Sequence, residues 1–218
     1  MAARATVEIV ASLRDGISRP IAGIRASVAS AFAGIRGLVA GGLVVAFGNA
    51  VKNVALAQAE VARFAATIGE STEEVSRLKF ALDTIGKGDG LKELLNQLSG
   101  KRGDAVRAPG QARTAFAQLG VDIQELKTLG GVEILKQIAD GYAFAGDRAR
   151  AAANLQAIFG DQFREFLPLL SQGRAGFDEL GRAADRLGAT ISAQDALNAE
   201  EFARNWVEFQ TLASGLFR

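Results

Sequence analysis

Ile17, Ile21, Ile24, Val28, Ala31, Ile35 and Leu38 recur at spacings of 4, 3, 4, 3, 4 and 3 residues. That is one apolar seam over about three heptads. Arg19, Arg25, Ser27, Ser30 and Arg36 fall off it. Ser18 is placed to cap the helix, and Pro20 sits in its first turn, where proline is tolerated. A helix with such a seam pairs with another helix, in this chain or in a copy of it. Beyond Leu38 the seam gives way to 15 uncharged residues, 37–51, with the sequence GLVAGGLVVAFGNAV. Two readings are open here. Gly37 and Gly41 form a small-xxx-small pair that lets helices approach closely, which favours a buried, tightly packed segment carrying Val44 and Phe47. The alternative is membrane contact, although a span needs about 20 apolar residues. The pattern continues through Val54, Leu56, Val61 and Phe64 to about Ile68. A helix of some fifty residues would be ~75 Å long.

After Gly69 the pattern becomes a series of short helices. Ser71 and Glu74 have capping-box spacing, and Val75, Leu78, Leu82 and Ile85 form a helical stripe. Residues 86–90 (GKGDG) read as a flexible break, and Leu91–Leu98 as a weaker helix. Residues 99–110, with three glycines and Lys101, Arg102, Arg107 and Pro109, read as a solvated basic loop. It could touch phosphates, but no aromatic is interleaved for base stacking. A short helix from Gln111 closes at Gly120, and Asp122 caps the next turn. Gly130-Gly131 breaks the chain, and Ile134, Leu135, Ile138, Tyr142 and Ala145 line another helix. Asp147 caps the following one, with Ala151, Leu155, Ile158 and Phe159 inward. Gly160 suits a left-handed helix end and Asp161 a cap for the next turn. Phe163, Phe166, Leu167 and Leu170 form the next stripe, and Phe177, Leu180, Ala184 and Leu187 the one after, stopped by Gly188. Ser192 with Asp195 signals a last helix. Along it Ala199, Phe202, Trp206, Phe209, Ala213 and Leu216 are spaced 3, 4, 3, 4 and 3, and Phe202, Trp206 and Phe209 are the best candidates for self-association. The seam reaches Phe217-Arg218 without a glycine or proline stop, the pattern of a helix that continues.

The expected fold is therefore all-α: a long N-terminal helix within 1–69, a cluster of short helices over 70–191, and a heptad-patterned helix over 192–218. Ahead of it, Val7, Ile9, Ala11 and Leu13 alternate with Thr6, Glu8 and Ser12. This is a short strand that needs a partner strand, or else a disordered start.

Composition narrows the function. Among 218 residues there is no histidine and no cysteine. This removes imidazole bases, Ser-His-Asp and Cys-His nucleophile systems, disulfides and the usual zinc ligand sets. Twenty-five basic and 24 acidic residues leave a net charge of +1, so no global field points to nucleic acid. Glu73-Glu74 sits at a helix start, where carboxylates favour the dipole. Glu200-Glu201 reads as a solvated pair. Asp161 and Glu165 could face Arg164 or Arg174 in exposed ion pairs, and Ser171 follows no strand and so forms no nucleophile elbow. No phosphate loop, dinucleotide fingerprint or metal-spaced acid cluster occurs. The chain calls for no catalytic residue, cofactor or metal.

One ordered series of motifs points further. Phe159-Gly160 precedes Leu167-Pro168-Leu169-Leu170, followed by Ser171-Gln172-Gly173, Leu187-Gly188 and the Asp195-to-Phe202 stretch DALNAEEF. Upstream, Ala115-Phe116-Ala117-Gln118-Leu119-Gly120-Val121 fits the same scheme. Over about residues 75–210 the series resembles the N-terminal region of phage tail tape-measure proteins. The resemblance implies a structural protein of the virion tail lumen, made in the host cytoplasm, that sets tail length as tube subunits polymerise around it. It implies the tail tube protein, tail assembly chaperones and tail-tip proteins as partners. It also implies a role for apolar segments in passing DNA through the host membrane. Two alternatives stand beside it: a membrane-active, pore-forming helical protein, and a generic helical interaction module.

Overall fold

The computed structural model describes residues 41–216, with side chains over 52–207. Every regular element among them is helical, so the chain is all-α. The helices are α1 (Gly41–Ile68), α2 (Thr72–Thr84), α3 (Leu91–Arg107), α4 (Gln111–Gln118), α5 (Ile123–Thr128), α6 (Gly131–Ala143), α7 (Arg148–Phe159), α8 (Phe163–Leu170), α9 (Gly173–Leu187) and α10 (Ala193–Leu216). Single 3-10 turns at Gly88–Gly90 and Gly160–Gln162 precede α3 and α8. The chain forms two compact units. One holds α1 as far as Arg63 together with the chain from Ile191, and the other is Phe64–Thr190.

In the first unit α10 starts from a reciprocal cap. The Ser192 hydroxyl accepts from the Asp195 N–H at 3.0 Å, and the Asp195 carboxylate accepts from the Ser192 N–H at 3.2 Å. Ala196, Ala199, Phe202, Ala203 and Trp206 form its buried face, with the Phe202 and Trp206 rings stacked at 6.3 Å. Arg63 of α1 pairs with Glu200 at 2.9 Å, so Glu200 is not simply solvated. On α1 as far as Arg63 the buried positions among those described are Ala55, Ala59 and Val61, while Val54 and Leu56 face outward.

The core of Phe64–Thr190 is built from α3, α6 and α7. Leu94, Leu98, Ile134, Leu135, Ile138, Leu155 and Phe159 are essentially inaccessible, together with Phe116 of α4. Several local expectations change once the packing is known. Residues 99–107 are helix, not loop. Leu98 and Ala105 are buried along that turn, and burial outweighs the cost of about 1 kcal/mol per helical glycine. Arg102, expected on a basic loop, and Arg113 just after it serve helix ends. Arg102 donates to the carbonyls of Leu126 and Lys127 at the end of α5, and Arg113 to those of Ala105 and Val106 at the end of α3. Residues 86–90 are likewise ordered. A Cβ on Gly88 would collide with the Asp83 carboxylate, and one on Gly90 would lie 3.2 Å from the Phe166 ring.

Three smaller differences follow the same logic. Gly160 has φ +60° and ψ −157°, outside the left-handed helical basin but in a region open essentially to glycine alone. Asp161 does not cap α8 but accepts from the Gln156 amide at 3.0 Å. In α8 it is Leu169 that is buried along with Phe163, Phe166 and Leu170, leaving Leu167 half-exposed. Leu187, expected on an inward stripe, is 69% exposed, because the buried face of α9 runs through Gly173, Gly176, Phe177, Gly181 and Ala184.

Two helices borrow their N-terminal acceptor from elsewhere in the unit. The Glu70 carboxylate, just after α1, accepts from the Gly131 N–H that opens α6. Asp140, near the end of α6, accepts from the Arg174 N–H in the first turn of α9 at 2.7 Å. Each supplies a negative charge where the helix dipole favours one.

Two glycines report the packing in opposite directions. A Cβ on Gly141 would lie 2.1 Å from the Leu119 carbonyl oxygen, whereas Gly100 has nothing within 4 Å. Gly141→Ala should therefore lower stability by about 1–3 kcal/mol through overpacking, and Gly100→Ala should raise it by roughly 0.5–1 kcal/mol. Urea denaturation of the two variants checks both signs.

Candidate functional site

Three helix faces converge in Phe64–Thr190 on a cleft of about 270 Å³. Helix α2 contributes Glu74, Arg77, Leu78 and Ala81; α6 contributes Val132 and Lys136; α9 contributes Phe177, Asp178, Gly181, Arg182 and Asp185. Within each set residues recur at intervals of three and four, as in Glu74, Leu78 and Ala81 or Asp178, Arg182 and Asp185, so each lies on one face of its helix.

The charges form a connected series. Lys136 Nζ, on a side chain only 16% exposed, lies 3.0 Å from Asp178 and 3.4 Å from Glu74. The other oxygen of Glu74 accepts from Arg77 Nη1 at 2.6 Å. Arg77 Nε donates to Asp185 at 2.9 Å, and the Thr190 hydroxyl donates to the same Asp185 oxygen. Next along α9, Arg174 pairs with Glu133 and reaches Asp140 at 3.5 Å. Gly181 leaves room for the Arg77 stem, whose Cδ would sit 3.4 Å from a Cβ there. Ser71 caps α2 by accepting from the Glu74 N–H at 3.1 Å, but the Glu74 carboxylate turns to Arg77 and Lys136 rather than completing the box.

These contacts hold the groups in their charged forms. Burial pushes the Lys136 ammonium down, but the hydrogen bond to Asp178 and the charges of Glu74 and Asp178 outweigh it, and the net shift is upward. The hydrogen bond to Asp185 raises Arg77 despite partial burial. Burial likewise pushes Arg174 down, but the hydrogen bond to Glu133 and the charges of Glu133 and Asp140 outweigh it, and the net shift is upward. Arg77 and then Thr190 hold the Asp185 carboxyl below its usual range. A lysine shifted up and a carboxylate shifted down are poorly matched to proton transfer near neutral pH. What the arrangement does chemically is clamp α9 to α2 and α6. Among the described residues no cluster of three metal-ligating side chains occurs.

No family model, curated protein or solved structure matches the chain.

Of the residues singled out by sequence for a helix start, Glu74 lines the cleft. Ile17, Ile21, Ile24, Val28, Ile35 and Gly37, and the strand expected near residues 5–13, fall outside the described residues. Gly41, Val44 and Phe47 lie on α1, and Phe209 and Leu216 on α10, where only the backbone is described. Phe202 and Trp206 are covered within the single chain, at 6% and 2% exposure. Glu165 pairs with Lys87 at 2.9 Å rather than with Arg164 or Arg174, and Arg164 lies over the Phe163 ring. The Ser171 hydroxyl donates to the Pro168 carbonyl. Sequence reasoning missed Lys136, Asp178 and Asp185. Their one sequence signal was four-residue charge spacing, as in Arg174, Asp178 and Arg182; which helices meet is not written there.

Lys136→Ala leaves Glu74 and Asp178 without their shared cation, and should cost about 1–3 kcal/mol. Arg107→Ala cuts an exposed pair with Asp104 and should stay within ~0.5 kcal/mol. Denaturant midpoints separate the two. Because the Asp185 pKa is lowered, its contribution is present above the ordinary carboxyl range and lost as pH falls through the lowered value. Arg77→Met should move the Asp185 carboxyl titration, followed by NMR, upward.

Proposed function

We propose that this chain is a structural tape-measure protein of a phage tail or tail-like particle. In that role it sets tail length during assembly, with the tail tube protein, tail assembly chaperones and tail-tip proteins as partners, and assists DNA passage through the cell envelope. The observation that carries this reading is the placement of the ordered motifs on the helices. Phe159-Gly160 ends α7, Leu167-Pro168-Leu169-Leu170 closes α8, Leu187-Gly188 ends α9, and Asp195 to Phe202 forms the first turns of α10. The whole series is thus spent on starting, stopping and packing helices. The physical basis of a helical ruler is its fixed rise of about 1.5 Å per residue. The 28 residues of α1 and the 24 of α10 correspond to roughly 42 Å and 36 Å.

Among the described residues no helix is long and apolar enough to cross a membrane. The membrane-active alternative therefore rests on the uncharged run at 37–51, which begins outside them.

Insertion of three heptads after Ala213, beyond the buried Phe202 and Trp206, tests the ruler in the particle that encodes the chain. Tails longer by about 30 Å, the rise of ~21 helical residues, are expected in electron micrographs. Tails of unchanged length, assembled with a variant of normal helical content, would remove α10 from any measuring role.

A further inference from the structure

We propose that α9 is an ion-latched strap, a helix that detaches from α2 and α6 as a unit when its ion pairs are screened, while the rest of Phe64–Thr190 stays folded. Three independent features of the fold lead there.

The first is how little apolar surface holds it. Over 15 residues the buried positions of α9 are Gly173, Gly176, Phe177, Gly181 and Ala184, so only Phe177 and Ala184 bring apolar side chains. The neighbouring α8 buries Phe163, Phe166, Leu169 and Leu170 in eight residues. Hydrophobic burial scales with apolar area, and α9 has little of it for its length.

The second feature is what holds it instead. Arg174 reaches Glu133 and Asp140 and Asp178 reaches Lys136, all on α6, and Asp185 reaches Arg77 on α2. Isolated exposed pairs contribute little, but here one ordered partner serves two others. Glu74 binds both Arg77 and Lys136, and Lys136 binds both Glu74 and Asp178. Such a network weakens together in salt, because the Debye length falls from about 10 Å at 0.1 M to about 3 Å at 1 M, close to the pair distances themselves.

The third feature is a swivel at each end. Gly173 has φ +63° and Gly188 φ +68°, conformations glycine adopts without strain. Gly188 and Ala189 donate their N–H groups to the carbonyls of Asp185 and Ala184, so the C-terminal closure of α9 is local and is not lent by α2 or α6. Release uncovers Leu78, Ala81 and Val132, which line the cleft. None of this depends on a role in a tail.

Amide hydrogen exchange of the full chain at about 50 mM and about 1 M KCl tests it. Once detached, a helix of 15 residues is only marginally stable in water, so the interior amides of α9, at Ala183 and Ala184, should exchange ~10-fold faster or more in high salt. Those of Leu94, Ile134 and Leu155 should change by less than ~2-fold. Arg77→Gln or Asp185→Asn should produce the fast α9 exchange already in low salt, and Arg107→Gln, outside the latch, should not. The proposal is overturned if α9 exchange is indifferent to salt. It is equally overturned if α9 speeds up only in step with Leu94, Ile134 and Leu155, since opening would then be global.

Discussion

An α-helix leaves four N–H and four C=O groups unpaired at its ends whatever its length. The unit Phe64–Thr190 is cut into helices of 6 to 17 residues, so a large share of its backbone consists of ends. Its stability depends on where those groups find partners. Some partners are local: Ser71, Asp122 and Asp147 each accept from an N–H two or three residues ahead. Others are tertiary. Glu70 serves α6, Asp140 serves α9, Arg102 serves α5 and Arg113 serves α3. In each tertiary case one side chain closes a helix end and ties it to another element, so capping and assembly of the unit are the same interaction.

This division explains what could be read from the sequence. Local caps were legible because their residues are neighbours in the chain. Ser71, Asp122, Asp147 and the Ser192–Asp195 pair act where spacing placed them. So were the stops at Gly69, Gly120 and Gly188, which have positive φ. Tertiary caps were not legible, and their absence from a sequence reading has a cost. Without knowing that Arg102 and Arg113 seek carbonyls, residues 99–110 look like a basic loop. Without knowing that Phe166 packs on Gly90, residues 86–90 look flexible. The ion-pair cleft was invisible for the same reason. Glu74 and Asp178 are about a hundred residues apart, and nothing in either helix alone says that Lys136 stands between them.

Apolar burial is distributed unevenly over this framework. Fully burying a large apolar side chain contributes about 1.5–3 kcal/mol, and α8 has four such side chains where α9 has one. Fixing the backbone costs roughly 1–2 kcal/mol per residue, so α9 needs its charged contacts more than its neighbours do. Its glycines serve that need. Gly181 leaves space for Arg77 to cross to Asp185, and Gly173 brings the Arg174 N–H to Asp140.

The same folding limits how such a chain could measure length. Fully helical, 218 residues would extend ~330 Å. The 127 residues of Phe64–Thr190, however, fold back on one another into one compact unit and cannot contribute 1.5 Å each while they do so. In a ruler built from this chain, length would come from continuous helix; α1 and α10, which share the other compact unit, would count along their own axes and not as a sum. Residues inserted between α2 and α9 would make a larger knot rather than a longer rod. Each compact unit would then be a fixed offset, and tail length would scale only with residues added to continuous helix.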